Sequence, residues 1–170
     1  MSRRRGILTK YNAKKLQWLH GALLFIGLAI LLAAVMQIWI GVSRVSGASM
    51  ESTYHNGSIV LYNRRENNID YGDVVAIKMA SGERYIKRVV GLPGDVIDLQ
   101  EGTLYVNGIP ENRSCANGTT HPQSAAIEYP CTVEEGRYFV LGDNREASVD
   151  SRTFGTLSRS QIRGVVLGSK

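Results

Sequence analysis

Short runs of apolar residues with alternating polar positions fill the chain from residue 43 onward, and turn-forming residues separate them. A period of two is typical of β-strands, because successive side chains of a strand point to opposite faces. No long amphipathic helix interrupts this pattern, which is typical of an all-β domain. The predicted strands are residues 58–63, 73–79, 84–90, 103–106, 137–141 and 163–167.

Dipeptides that favour tight turns lie between the predicted strands. Asn107-Gly108 directly follows the strand at 103–106 and predicts a two-residue hairpin turn. Pro93-Gly94 and residues 142–144 mark further turns. Residues 107–136 are the most polar and irregular stretch, and we interpret them as a loop or hairpin inserted into the β domain.

The N-terminal region has a different pattern. Residues 18–42 contain no Asp, Glu, Lys or Arg, and as a helix they would extend about 37 Å, more than the ~30 Å hydrocarbon core of a bilayer. Trp18 and Trp39 lie near the two ends, where tryptophan favours the membrane interface. The alternative is a cleaved secretory signal, but its apolar core is usually much shorter. The pattern therefore favours an uncleaved transmembrane anchor at 18–42.

The net charge of +5 raises the question of a nucleic-acid partner. Six of the 20 basic residues lie in residues 1–17, which contain no acidic residue, so 14 basic residues face 15 acidic ones in residues 43–170. The basicity therefore belongs to a tail, and no nucleic-acid partner is expected. Because a positive flank stays in the cytoplasm, we predict residues 1–17 inside the membrane and residues 43–170 outside.

Two cysteines, Cys115 and Cys131, both lie in the predicted insert. In an extracytoplasmic domain such a pair predicts a disulfide, and closing this loop would be worth about 3 kcal/mol in the chain-entropy model. Zinc bound by the two cysteines and His121 is the alternative. It lacks an evident fourth ligand and the close spacing of structural zinc sites.

Candidate chemistry centres on Lys87 and Ser49. Lys87 lies in an apolar, strand-like run, where burial would lower its pKa and make it a base near neutral pH. Arg88 cannot take that role, because a guanidinium keeps its proton in proteins. Ser49 lies in the small-residue turn 46–53 and needs a base for attack. A Ser-Lys dyad would supply one, whereas a solvated Lys-Arg pair on an edge strand is the alternative for Lys87 and Arg88.

Other bases and acids are weaker candidates. His20 lies within the predicted anchor, and neither His55 nor His121 has a context that favours a catalytic role. An aspartic dyad of Asp143 and Asp150 is conceivable, but each aspartate is followed two residues later by arginine, which favours structural ion pairs.

Four segments of the chain resemble, in the same order, the four motifs that follow the anchor in type I signal peptidases. They are residues 46–53, 72–75, 85–95 and 142–155, and the last is the most specific. The resemblance covers most of residues 43–167.

The resemblance implies a membrane-bound serine endopeptidase with a small β-barrel-like catalytic domain, which removes signal peptides after small residues in an Ala-x-Ala pattern. It implies Ser49 as nucleophile and oxyanion donor through its own N–H, Lys87 as general base, and Ser148 as the residue that orients the lysine. It also implies four residues that support the site through ion pairs and hydrogen bonds, namely Asp143, Arg145, Asp150 and Arg152.

The implied location is the bacterial cytoplasmic (inner) membrane, in a single pass, with the catalytic domain on the outer side. The expected partners are preprotein signal peptides, the lipid bilayer and the translocation machinery, and no cofactor or metal is expected. Ser52 replaces a common proline and Gly47 replaces a hydroxyl residue that completes the oxyanion hole in some members. The small insert indicates a narrower substrate range, as in specialised conjugation or pilus peptidases. A catalytically silent assembly subunit is disfavoured by the intact Ser49, Lys87 and Ser148.

Overall fold

The computed structural model describes residues 2–168, with side chains from residue 16 onward. The chain divides into two compact units, and the boundary in the sequence lies between Trp39 and Ile40. The first unit is helix α1, Ser2–Trp39. Its segment Leu16–Trp39 is apolar, has no buried part, and is long enough to cross a membrane. The helix ends three residues before the predicted end of the anchor, because Ile40 already begins a strand.

The second unit contains two antiparallel sheets, which confirms the predicted mainly β fold. The larger sheet has the order β1-β2-β11-β3-β4-β9-β10. Its strands are β1 (Ile40–Arg44), β2 (Ile59–Asn63), β3 (Val74–Lys78), β4 (Arg84–Gly91), β9 (Arg137–Leu141), β10 (Leu157–Ser158) and β11 (Ile162–Val166). A short helix α2, Ser151–Phe154, and a 3₁₀ turn, Arg159–Gln161, lie between β9 and β11.

The smaller sheet has the order β7-β6-β5-β8. Its strands are β5 (Val96–Gln100), β6 (Thr103–Val106), β7 (Ile109–Pro110) and β8 (Cys131–Thr132). Asn107 and Gly108 have φ angles of 53° and 77° and join β6 to β7, so the predicted two-residue turn is confirmed. The sheet begins at β5, however, well before the predicted insert at 107–136.

Six predicted strands agree with β2, β3, β4, β6, β9 and β11 to within one residue at each end. The sequence pattern missed β1, β5, β7, β8 and β10. Three of these have two residues each, too few for alternation to be visible, and their extended form depends on the neighbouring strand.

Both faces of the β3–β4 pair are buried. Val74, Ala76 and Ile86 belong to one apolar cluster, while Val75 and Val89 belong to another on the opposite face. A third cluster joins β4 and β9 to the smaller sheet. Burial on both faces explains why β4 has apolar residues at successive positions rather than in alternation.

The predicted disulfide is wrong, because Cys115 and Cys131 are both free thiols in the structure. Cys131 lies in β8, opposite Ile97 of β5. The backbone carbonyl of Cys115 instead accepts a hydrogen bond from Ser52, 2.7 Å away, in the segment after Ser49. Each cysteine is therefore fixed by contacts with a different part of the fold.

Candidate active site

Ser49 lies in a turn between β1 and β2 that a buried neighbour fixes in place. Met50 is fully buried in the cluster beneath β2 and β3. The turn closes through hydrogen bonds from the N–H of Glu51 to the carbonyl of Ala48 and from the N–H of Tyr54 to that of Met50. Among the described residues, the backbone N–H of Ser49 donates to no acceptor. It is therefore available to a negatively charged oxygen.

Lys87 lies in β4 opposite Val75 of β3 and is only 1% exposed. Its Nζ donates a hydrogen bond to Ser49 Oγ over 2.7 Å. The ring of Tyr85 lies on the same face, with its centroid 5.7 Å from Nζ, as expected from strand alternation. The candidate nucleophile and the candidate base, 38 positions apart in the sequence, are thus in direct contact.

Burial lowers the pKa of Lys87 from its ordinary value to about 8. The carboxylate of Asp150 acts in the opposite direction, the guanidinium of Arg152 lowers the pKa further, and Asp143 raises it. With this pKa, about a tenth of the amine is neutral at pH 7, against less than a thousandth for an unperturbed lysine. Lys87 can therefore accept a proton near neutral pH.

Arg88 lies on the opposite face of β4 and forms a buried ion pair with Asp143. Its Nε and Nη2 each lie 2.8 Å from a carboxylate oxygen of Asp143. Its Nη1 donates to the carbonyl of Gly72, and Thr53 Oγ1 donates to Asp143 Oδ2. This one ion pair therefore connects all four segments that carry the family resemblance.

A second buried ion pair joins Asp150 and Arg152, whose Nε and Nη2 lie 2.9 and 2.8 Å from the carboxylate oxygens. Asp150 also accepts hydrogen bonds from the backbone N–H groups of Gly142 and Arg152, so it ties the end of β9 to the start of α2. Because Asp143 and Asp150 each have an arginine partner, the alternative of an aspartic dyad finds no support.

Arg145 connects the site to the smaller sheet. Its guanidinium donates to the carbonyl of Gly142 and the hydroxyl of Thr120, and it forms an ion pair with Glu111. Arg152 Nη2 donates to the Arg145 carbonyl over 2.6 Å. The sequence indicated Arg145 but not Glu111 or Thr120, because their positions in the irregular insert carry no local pattern.

Ser148 is buried, but it does not make the predicted hydrogen bond to Lys87. Within the described part of the chain, its Oγ has no hydrogen-bond partner. A Cβ placed on Gly142 would overlap this Oγ and the carbonyl oxygen of Ser49. Ser148 therefore lies beside the Ser49 turn, while Lys87 directs its amine to Ser49 itself.

The histidines are not part of this arrangement. Among the described hydrogen bonds, His55 and His121 take part only through their backbone carbonyls, with Ser58 and Arg152. No group of three or more His, Cys, Asp or Glu side chains in the described residues could hold a metal. The zinc alternative thus has no structural support.

A cavity of about 340 Å³ opens at Ser49, and we call it the serine cavity. Residues of β1, of β4 and of the Ser49 turn form its wall, and two arginines, Arg44 and Arg84, are among them. Its lining residues include Val42, Val45, Ser46, Ser49, Tyr85 and Ile86.

Comparison with known proteins identifies the family of the chain. The sequence profile of the family described as "Signal peptidase, peptidase S26" matches residues 16–168. Signal peptidase IB of Staphylococcus aureus (strain Mu50) is 34% identical over 139 residues, which are 72% of this chain and 73% of that protein. Signal peptidase I of Bacillus licheniformis is 32% identical over 160 residues, 87% of this chain and 84% of that protein.

Among solved structures, a signal peptidase I from Enterococcus faecalis V583 is 32% identical to this chain. The match covers 58% of this chain and 97% of that one, with a TM-score of 0.46. The profile and the two sequence relatives place the chain in the serine peptidases. It belongs to the signal peptidase family, peptidase S26. The resemblance found in the four segments is thereby confirmed.

Proposed function

We propose that this chain is a membrane-anchored endopeptidase that removes signal peptides from translocated preproteins, with Ser49 as nucleophile and Lys87 as general base. The observation that supports it most directly is the 2.7 Å hydrogen bond between Lys87 Nζ and Ser49 Oγ, made by an amine that is almost fully buried. Family membership supports the reaction class.

The reaction begins with the neutral amine of Lys87, which takes the proton of Ser49 as Oγ attacks the carbonyl carbon of the scissile bond. The negative charge that forms on the carbonyl oxygen is stabilised by the free N–H of Ser49. The ammonium of Lys87 then donates its proton to the leaving amine, and the peptide bond breaks. Water attacks the resulting ester, again with Lys87 as base, and releases the signal peptide with a new carboxylate.

The supporting residues keep these groups in position. Asp150 and Arg152 hold the end of β9 beside the Ser49 turn, while the ion pair of Arg88 with Asp143 joins β4 to the loop after β9. The role proposed for Ser148 is to orient Lys87 during the reaction, when Ser49 Oγ is engaged with the substrate. Replacement of Ser148 by Ala should then lower kcat and leave KM little changed.

The proposed topology has α1 spanning the cytoplasmic membrane through Leu16–Trp39, with the basic tail inside and the β unit outside. The bilayer, the preprotein and the translocation machinery are the corresponding partners. Protease added to the outer face of bacteria expressing the chain should digest the β unit. If only the N-terminal tail were digested, this topology and the proposed substrate would both be wrong.

The direct test of the function uses the full chain in detergent and a preprotein with an Ala-x-Ala sequence at its signal-peptide junction. The wild-type protein should release the signal peptide after the second alanine, and the Ser49→Ala variant should not. Ser58→Ala is a matched control, because it removes a hydroxyl from the same segment between β1 and β2, and Ser58 does not line the serine cavity. Equal cleavage by the Ser49→Ala variant would overturn the proposal.

A further inference from the structure

A group of positively charged side chains lies on β3, β4, β11 and the residue after β2, and the proposed reaction does not use it. These residues are Arg64, Lys78, Arg84 and Arg163, all of them exposed. Lys78 lies directly opposite Arg84 in the β3–β4 register. Like charges in directly opposed positions destabilise a sheet. Within the described residues, none of the four forms an ion pair with a carboxylate.

The four side chains line a second cavity of about 170 Å³, which we call the basic cavity. The basic cavity and the serine cavity share the lining residues Val42, Ser43, Arg84 and Tyr85, so they adjoin each other. The carboxylate nearest in sequence, Glu83, accepts a hydrogen bond from Ser81 and lines neither cavity. Arg84 therefore connects the serine cavity to a second cavity whose described lining residues include no Asp or Glu.

We infer that the basic cavity is a substrate subsite for an acidic side chain close to the scissile bond, with Arg84 as the residue that determines this preference. The four cations that line this cavity of about 170 Å³ provide the positive charge that the carboxylate of an Asp or Glu side chain complements. Arginine binds a carboxylate through two parallel hydrogen bonds, and the neighbouring cations add favourable charge.

The inference rests on the proposed function, because the acidic group arrives as part of the peptide that Ser49 attacks. The experiment uses the full chain in detergent, without lipid. A set of otherwise identical preproteins carries Ala, Asp or Lys in turn at each position flanking the cut. The quantity measured is the ratio of kcat/KM for the acidic substrate to kcat/KM for the Ala substrate.

For the wild type, at least one position should show a kcat/KM about three- to fivefold higher with Asp than with Ala. This preference should decrease as salt is added, because the groups are exposed. Arg84→Gln should abolish the preference, and Arg84→Glu should reverse it in favour of Lys. Arg163→Gln should weaken it, which provides a second variant if Arg84 proves necessary for folding. Arg65→Gln is the matched control. It makes the same change of charge at the residue after Arg64, but Arg65 lines neither cavity.

Equal kcat/KM for Asp and Ala at every position would overturn the inference and leave the proposed function intact. So would Arg84 variants that leave every kcat/KM ratio unchanged but weaken binding of the full chain to anionic lipid vesicles in a separate assay, since that result would assign the cations to the membrane. A wild-type protein that cleaves none of the preproteins would overturn the proposed function, and the inference with it. Reversal by Arg84→Glu would support the subsite most strongly, because a structural role for Arg84 would not create a preference for Lys.

Discussion

Lys87 and Arg88 are neighbours on one strand, equally deep in the protein, and yet they have opposite chemistry. Lys87 is 1% exposed and Arg88 is 4% exposed, on opposite faces of β4. Arg88 meets the carboxylate of Asp143, whereas the amine of Lys87 is hydrogen-bonded to the hydroxyl of Ser49. Burial therefore yields a permanent ion pair on one face and a titratable amine on the other.

The difference shows what makes a buried cation reactive. A carboxylate in direct contact compensates the charge of Arg88, and a guanidinium has no accessible neutral form in proteins. Among the described residues, no carboxylate forms an ion pair with Lys87, so burial dominates and its pKa decreases to about 8. One strand can thus hold the site together on one face and supply a base on the other. Substitutions at Lys87 and Arg88 should separate these two roles.

The largest expected effect is the loss of activity in the Lys87→Arg variant. This change keeps the positive charge but removes a group that can accept a proton, so kcat/KM should decrease by at least about 10³-fold. The unfolding transition should remain cooperative. Lys15→Arg, the same change in the basic tail, is the control and should leave cleavage unchanged. Substantial cleavage by folded Lys87→Arg protein would exclude the dyad.

Arg88→Met should affect stability rather than chemistry. It leaves the carboxylate of Asp143 buried without its partner, which should lower the free energy of unfolding by about 3–5 kcal/mol. Urea unfolding of the full chain in detergent measures this. The double variant Arg88→Met/Asp143→Leu should recover part of the loss, since it removes both charges. A stability equal to wild type in the single variant would show that the ion pair is not structural.

The pH dependence of cleavage should follow the pKa of Lys87. Only the neutral amine acts as base, so kcat/KM should increase about tenfold per pH unit below pH 8 and level off above it. Arg88 contributes no titration in this range. A rate independent of pH between 6 and 8 would indicate another base.

The smallest effect is expected for the stability of the Lys87→Met variant. The pKa of Lys87 is lower in the folded state than in the unfolded chain, so the protonated amine destabilises the fold below pH 8, and this penalty fades as the pH rises toward the unfolded value. Lys87→Met should therefore be more stable than wild type by about 1–2 kcal/mol at pH 6, after the lost hydrogen bond to Ser49 is discounted. The gain should shrink toward pH 10. Lower stability at pH 6 would mean that the amine is better solvated than its burial indicates.

Much of the larger sheet was predictable from the sequence, because its strands are long enough to show a pattern. A lysine in an apolar run made Lys87 a candidate base, but a serine in a turn is common, and the resemblance of the four ordered segments was needed to favour Ser49 and Lys87 over the alternatives. Strand alternation places Lys87 and Arg88 on opposite faces of β4, and their different partners agree with it.

The contacts between distant segments could not be predicted in this way. Glu111 lies 34 residues from Arg145 in sequence and has no periodic neighbours. The disulfide prediction was wrong for a related reason: shared location in an insert does not imply proximity, and backbone pairing fixes Cys131 independently of Cys115. The position of Ser148 likewise depends on the close approach of Gly142, which no local pattern reveals.

The order of strands in the larger sheet has a consequence for the timing of activity. β11 is the last strand in the described chain, yet it lies between β2 and β3 and pairs with both. The turn that carries Ser49 is attached to β1 and β2, whereas Lys87 belongs to the β3–β4 pair. Because a chain is synthesised from its N-terminus, these halves can pair with β11 only after residue 166 has been made, and pairing over about a hundred residues is intrinsically slow. We therefore expect the contact between Lys87 and Ser49 to form only after β11 has paired with β2 and β3.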